Sequence, residues 1–176
     1  GAIVTLRRRE VAPGLVLDDG RLALTAQADL ADPLLALRCA RVAAEHDAYL
    51  QRGSLERLVE NAPALDVPWS DEAREMFVAL LATGPSAIPV IEDLDHVGLF
   101  VQLVPEWEPC RSRPQRNAYH RFTVDRHLME TAAEASRLVD RVDRPDLLLV
   151  GALFHDIGKG YPGDHTEVGV ALLQTI

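Results

Sequence analysis

The residues best suited to chemistry are the pair His155-Asp156 and an upstream histidine, His127. The pair directly follows a nearly all-apolar run, 147–154, and precedes Ile157-Gly158-Lys159-Gly160. Burying an imidazole beside a carboxylate costs free energy unless both side chains find partners. A metal ion is such a partner, because imidazole with carboxylate suits Zn, Mn or Fe, and carboxylate-rich sets suit Mg. The pattern therefore predicts a divalent-metal site.

The residues after this pair suit a phosphate ligand. A metal ion activates water near neutral pH and neutralises charge on a phosphoryl oxygen. Lys159 could contact the phosphate as a point charge, and Gly158 and Gly160 let the backbone approach a ligand closely. His165 begins a further short helical segment. It is a candidate for an additional metal or phosphate contact, with a surface position at the helix start as the alternative.

The other histidines carry weaker signals. A second pair, His46-Asp47, has no partner histidine at a suitable spacing and no glycine turn after it. We expect this pair to be exposed on a helix. His96 is expected to be structural or exposed, and His120 to cap or pack rather than bind a ligand.

Two helices are predicted to position the metal ligands. Apolar residues recur at helical spacing over Thr123–Val142, and a buried apolar helix is predicted over Asp146–His155. Pro145 suits the first turn of the second helix. The short VDRP turn makes the two helices antiparallel neighbours, which could bring His127 close to the pair.

The N-terminal region predicts one hairpin and several helices. Asp18-Asp19-Gly20 between two short apolar stretches is a hairpin turn signal. Pro105 and Pro109, followed by CRSRPQRN, predict an irregular connector and a domain boundary between about 105 and 117. Trp107 and Tyr119 are expected to be packing residues.

The predicted helices are Pro33 to about Leu50, a second from Ser54, Glu72–Leu81 with Ser70 as N-cap, and Ala87–Leu94. The fold class is therefore mostly α with a small N-terminal β-hairpin.

Composition excludes several classes of protein. The chain has 176 residues and a net charge of −9, and its pI is near 5.1. An acidic surface repels phosphates, so we expect no nucleic acid partner. No apolar run approaches the ~20 residues that span a bilayer, and no signal peptide is evident. Cys39 and Cys110 show no metal or disulfide spacing, and we expect free thiols in a reducing cytoplasm.

Two segments resemble a known family. NAYHRFTVDRHLMETA and ALFHDIGKGYPGDHTEVG resemble the HD domain of the bacterial PII uridylyltransferase/uridylyl-removing enzymes, and DHVGLFVQLVPEWEPCRSRPQRN is similar to their lead-in. The resemblance is specific from Asp95 to Ile176 and weaker over 1–94. It implies a helical region over 1–110, following a nucleotidyltransferase domain. It also implies the N-terminal half of an all-α HD phosphohydrolase domain over 111–176.

The resemblance implies a function. Enzymes of this family transfer UMP to a tyrosine of the PII signalling protein, and their HD domain hydrolyses that phosphodiester. Further domains bind glutamine. Some actinobacterial relatives use ATP and adenylylate PII instead of transferring UMP. By motif, His127, His155 and Asp156 would hold the metal, with a final aspartate beyond Ile176. Lys159 and Asp156 would be catalytic, and His165 matches a histidine near the metal. Mg or Mn is the expected ion, with Zn or Fe as alternatives.

Departures from the family pattern limit what these residues can do. The transferase signature, a glycine-rich turn followed by paired aspartates, is absent from the sequence. Since one metal ligand is also missing, we expect the 176 residues alone to be an inactive fragment. Two alternatives stay open. The first is another HD-type phosphohydrolase that acts on a nucleotide, and the second is a non-catalytic, metal-binding regulatory module.

Overall fold

The structure is a computed structural model that describes residues 8–115 and 122–174. This part of the chain is mostly helical, with a small sheet at its N-terminal end. The predicted fold class is therefore confirmed. No single helix among the described residues is long and apolar enough to cross a bilayer. The segments Asp71–Ala82 and Gly84–His96 pass that test only together, and they are bent by 109°.

The predicted hairpin is present and is extended on both sides. Strands β1 (Arg9–Ala12), β2 (Leu15–Asp18) and β3 (Arg21–Leu24) pair antiparallel, and β4 (Tyr49–Leu50) pairs parallel to β3. Asp19 and Gly20 have φ of 48° and 69°. Two successive positive φ values are what a tight two-residue hairpin turn requires, and Asp-Gly tolerates them best.

Eight α-helices lie in the described residues. Ser70 caps the helix Asp71–Ala82 by accepting a hydrogen bond from the amide of Ala73, and Pro145 lies in the first turn of the helix Pro145–Phe154, both as predicted. The helices are α1 (Leu35–Glu45), α2 (Arg52–Asn61), α3 (Asp71–Ala82), α4 (Ala87–His96), α5 (Leu99–Leu103), α6 (Val124–Ala135), α7 (Pro145–Phe154) and α8 (His165–Leu173). Short 3-10 helices follow at Gly84–Ser86, Pro105–Cys110, Ser136–Arg141 and Ile157–Gly160.

Two predicted helices end early. The first, expected to reach Leu50, ends at Glu45, because Asp47 adopts a φ of 50° and Tyr49 joins the sheet. The second, expected to reach Val142, ends at Ala135 and tightens into a 3-10 helix. There the hydroxyl of Ser136 donates to the carbonyl of Ala133 at 2.7 Å, a side-chain bond that competes with the regular helical pattern.

The prediction of an irregular connector is wrong for residues 105–110, which form a 3-10 helix. Trp107 and Cys110 within it are fully buried. The indole of Trp107 packs edge-on against Phe100, with ring centroids 5.1 Å apart. Trp107 is thus a packing residue, as expected. The proline at the start of the segment fits a helical first turn, where its missing N–H leaves no bond unmade.

One hydrophobic core runs through the described residues on both sides of position 110. Phe77 of α3 stacks on Phe100 and on Phe154, with ring centroids 6.5 Å apart in each case. Phe154 is the last residue of α7 and directly precedes His155. The N-terminal region therefore packs directly behind the candidate metal ligands. The division into 1–110 and 111–176 stays a prediction.

Candidate metal centre

Helices α6 and α7 pack against each other and carry the three candidate ligands. His127 lies in the first turns of α6, next to Leu128, which is fully buried. His155 is the C-cap residue that directly follows the last residue of α7, and Asp156 comes next. The apolar run 147–154 thus forms a helix that delivers the pair to the C-terminal end of α7.

The three side chains converge on one carboxylate oxygen. Oδ2 of Asp156 lies 3.2 Å from Nε2 of His155 and 3.5 Å from Nε2 of His127. One potential ligand atom from each residue lies within 4.8 Å of the other two. Two imidazole nitrogens and a carboxylate at this separation suit a divalent transition metal, or Mg²⁺ with added oxygen ligands. The geometry therefore fits a metal ion.

The orientation of His155 supports this assignment. Its Nδ1 lies 2.8 Å from the carbonyl oxygen of Ala152. Because a carbonyl can only accept, Nδ1 must carry the proton, which leaves a lone pair on Nε2. An outer hydrogen bond of this type fixes the tautomer of histidines that bind metals through the other ring nitrogen.

Asp156 is ionised over a wide pH range. Its partial burial alone would raise the pKa of the carboxyl group. The hydrogen bond from Lys159 and the electrostatic influence of His155, Lys159 and His127 outweigh burial, and the pKa of Asp156 lies below its ordinary value. Nζ of Lys159 lies 2.5 Å from Oδ2 of Asp156 and 3.4 Å from Oε1 of Gln115. Asp156 is therefore a charged ligand at neutral pH.

Gly158 brings the HD motif and α8 into close contact. A Cβ at position 158 would lie 2.0 Å from the carbonyl oxygen of His165 and 2.8 Å from the amide nitrogen of Gly169. A Cβ on Gly160 would lie 2.8 Å from Sγ of Cys110. Glycine is thus required for packing at these two positions. This adds a structural reason to the ligand approach suggested by the sequence.

The structure assembles part of the predicted site. His127, His155, Asp156 and Lys159 lie together, while His165 is the exposed first residue of α8 and is not in the three-residue group. The metal or phosphate role of His165, like the catalytic roles of Lys159 and Asp156, stays a prediction.

The weaker candidates lie elsewhere. His46 and Asp47 are exposed at the end of α1, and His96 is exposed at the end of α4. His120 and Tyr119 lie outside the described residues. Cys39 and Cys110 are free, as predicted, and both are also buried.

Sequence reasoning missed the residues that support the motif from the preceding segment. Sγ of Cys110 lies 3.3 Å from the carbonyl oxygen of Ile157, and Arg113 donates to the carbonyl of Gly160. Gln115 contacts Lys159. These residues belong to the stretch CRSRPQRN, which was predicted to be a connector. Its resemblance to the family was the only sequence signal that could have pointed to a role at the site.

A groove of about 690 Å³ lies apart from the metal ligands. Its lining is mostly apolar and includes Trp69, Phe77, Val150, Phe154 and Leu173. None of the three candidate ligands lines this groove. The groove is therefore separate from the histidine–aspartate cluster.

Comparison with known proteins agrees with this geometry. Residues 124–176 match the family model described as HD domain. The bifunctional uridylyltransferase/uridylyl-removing enzyme of Streptomyces coelicolor is 48% identical over 171 residues, covering 96% of this chain. The enzymes of the same name from Mycobacterium tuberculosis and Corynebacterium glutamicum are 43% and 36% identical, over 95% and 94% of the chain. No solved structure matches.

Motif, geometry and family match together define residues 124–176 as HD-domain sequence. The chain as a whole is a relative of the bifunctional uridylyltransferase/uridylyl-removing enzymes. It spans 20%, 21% and 24% of the length of the three relatives named above.

Proposed function

We propose that this chain carries the metal-binding part of a phosphodiesterase that removes a nucleotidyl group from a tyrosine of PII. It would act in nitrogen regulation, in the cytoplasm, within a longer bifunctional enzyme. One observation carries the proposal. His127, His155 and Asp156 come together from two helices in a segment that matches the HD domain. The names of the relatives supply the reaction, since they are uridylyl-removing enzymes.

A divalent ion, Mg²⁺ or Mn²⁺ by preference and Zn²⁺ or Fe²⁺ as alternatives, would be held by these three residues. Bound there, it would activate water near neutral pH and neutralise phosphoryl charge. The reaction adds the hydroxyl of water to phosphorus and breaks the bond from phosphorus to the tyrosyl oxygen. The phenolate is a good leaving group, because the pKa of tyrosine is about 10.

The chain's own residues have separate tasks in this scheme. Asp156 would supply negative charge to the ion through Oδ2, the oxygen that accepts a hydrogen bond from Lys159 in the structure. Lys159 is the cation best placed among the described residues to meet a phosphoryl oxygen next to the ligands, and it would stabilise the developing charge. His155, oriented by the carbonyl of Ala152, presents Nε2 to the ion.

The remaining parts of the enzyme would come from sequence outside these 176 residues. We infer that a further aspartate completes the ligand set, and that separate domains carry nucleotidyl transfer and glutamine binding. The relatives, about five times as long, support this inference. The 176 residues alone would then be inactive.

The test uses the full-length protein that contains this chain. PII carrying UMP on tyrosine, and PII carrying AMP, are each incubated with the protein and Mn²⁺ or Mg²⁺, and nucleotide release is measured. His155→Ala removes a ligand, and His46→Ala is the matched control at the second, exposed His-Asp pair. We expect metal-dependent release that His155→Ala abolishes and His46→Ala preserves. The nucleotide released faster identifies the natural modification.

Two other outcomes would overturn the proposal. If neither form of PII releases nucleotide although Mn²⁺ binds, a non-catalytic metal-binding module becomes the better account. If a free nucleotide is hydrolysed while both forms of PII stay intact, the protein is an HD-type nucleotide phosphohydrolase instead.

A further inference from the structure

Lys159 is shared between two acceptors that a bound metal would affect differently. Its ammonium lies 2.5 Å from Oδ2 of Asp156 and 3.4 Å from Oε1 of Gln115. The same oxygen of Asp156 is the one nearest to both histidine nitrogens. A cation held by the three ligands would repel the ammonium and occupy its strongest acceptor. Gln115, a neutral amide outside the ligand group, would remain available.

The side chain of Gln115 is itself held in place. Its Nε2 donates to the carbonyl oxygen of Phe122 at 3.2 Å, and its Oε1 is left to face Lys159. Both hydrogen-bonding ends of the amide are therefore used, one for anchoring and one for the lysine. Part of the Lys159 side chain stays exposed, at 25%, so that a substrate or reagent can reach it.

The backbone that carries Gln115 is fixed to the HD motif by independent contacts. The amide of Val124 donates to the carbonyl of Arg113 at 2.9 Å, and the guanidinium of Arg113 donates to the carbonyl of Gly160. The hydroxyl of Tyr161 donates to the carbonyl of Glu106 at 3.1 Å. These bonds join the 106–113 segment, which ends two residues before Gln115, to the start of α6 and to the turn that bears Lys159. Together with the bond from Gln115 to Phe122, they favour a stable spacing between Gln115 and Lys159.

We propose that Gln115 is a positioning residue that retains the Lys159 ammonium beside the site when Asp156 binds the metal. The inference rests on the proposed metal site. Without Gln115, the Lys159 ammonium displaced from Asp156 would lose the second of its two acceptors and would turn to solvent. With Gln115, the lysine stays where a phosphoryl oxygen can meet it.

The test measures how fast Lys159 is acetylated by an amine-reactive acetyl ester, by mass spectrometry of the full-length protein with and without saturating Mn²⁺. Gln115→Met removes the acceptor while keeping a similar length. We expect Lys159 in this variant to be acetylated about three- to tenfold faster than in wild type when Mn²⁺ is present, the range set by one net hydrogen bond. Without metal the two rates should agree, because Asp156 still holds the ammonium.

Two further variants separate positioning from folding. Gln115→Glu keeps an acceptor for Lys159 but loses the donor to Phe122, and it should restore slow acetylation with Mn²⁺ bound. Gln102→Met, at an exposed glutamine of α5, should match wild type throughout. Equal acetylation of wild type and Gln115→Met in the presence of Mn²⁺ would overturn the proposal.

The acetylation rate of Lys159 is measured independently of nucleotide release. A separate Mn²⁺ titration reports whether the ion binds. Binding with faster acetylation but no nucleotide release leaves the positioning role in place and rejects the proposed function. Binding with unchanged acetylation rejects the positioning role alone, and absence of Mn²⁺ binding in wild type rejects both.

Discussion

Nε2 of His127, on α6, lies 3.5 Å from Oδ2 of Asp156, which follows α7. The two residues are brought together by the helices behind them rather than by their own attraction. Leu128, Leu149 and Leu153 are fully buried on those helices, and such burial stabilises each by roughly 1.5–3 kcal/mol. The ligand geometry is therefore set before any ion arrives.

Removing the shared carboxylate should abolish tight metal binding. We expect Asp156→Asn to weaken Mn²⁺ binding by at least about 100-fold, the upper end of what changes in outer-shell partners cost. Titration calorimetry on the full-length protein provides the measurement. His46→Ala should bind Mn²⁺ like wild type. An unchanged affinity in Asp156→Asn would mean that the ion binds elsewhere.

Removing the ammonium of Lys159 should raise the pKa of Asp156. Burial raises this pKa, and Lys159 is the first of the groups that lower it. In Lys159→Met without metal, we expect carboxyl NMR titration to show a higher pKa than in wild type. The pKa of Asp156 in the folded wild type is depressed. Its contribution to stability is therefore present above the unfolded pKa and lost as pH falls through the folded pKa.

In Lys159→Met that contribution should shrink, so the variant loses less stability than wild type between neutral pH and pH 3. Urea denaturation at several pH values measures the difference. Identical pH profiles would show that Lys159 does not hold the carboxylate in solution.

Two glycines on neighbouring elements should respond oppositely to alanine. A Cβ at Gly158 would collide with backbone atoms of α8, so Gly158→Ala should destabilise the protein by about 1–3 kcal/mol or more. A Cβ at Gly151, exposed within α7, meets nothing within 4 Å. Gly151→Ala should therefore stabilise by up to about 1 kcal/mol through helix propensity. Denaturant unfolding of the two variants measures the change in the free energy of unfolding. Equal changes in the two variants would contradict the packing of α8 on residue 158.

Both thiols should be unreactive in the folded protein. Burial raises the pKa of Cys39 to about 12 and that of Cys110 to about 11. A thiol reacts as its thiolate, so a disulfide reagent at pH 8 should label neither cysteine until urea is added. Rapid labelling of Cys110 under native conditions would show that the contact between residues 110 and 157 opens easily.

The elements predictable from sequence were those with local signals. The Asp-Gly turn, the Ser70 cap and the apolar run before His155 each encode their structure within a few residues. The proximity of His127 to the pair also followed, because a short turn between two helices leaves them few ways to pack.

What escaped prediction depends on contacts distant in sequence. Pro105 and Pro109 resembled chain breakers, but Trp107 between them is buried against Phe100, and that burial organises the segment as a 3-10 helix. Gln115 and Lys159 are 44 residues apart. No local pattern could join them.

The four rings at positions 77, 100, 107 and 154 form a connected aromatic set behind the metal ligands. A smaller ring at any of these positions would leave a void that its neighbours must fill, because interiors are packed to crystal density. Substitutions here should therefore be correlated across homologous sequences. Pairs such as 77 with 154 should covary even though one lies in the N-terminal helical region and the other precedes a metal ligand.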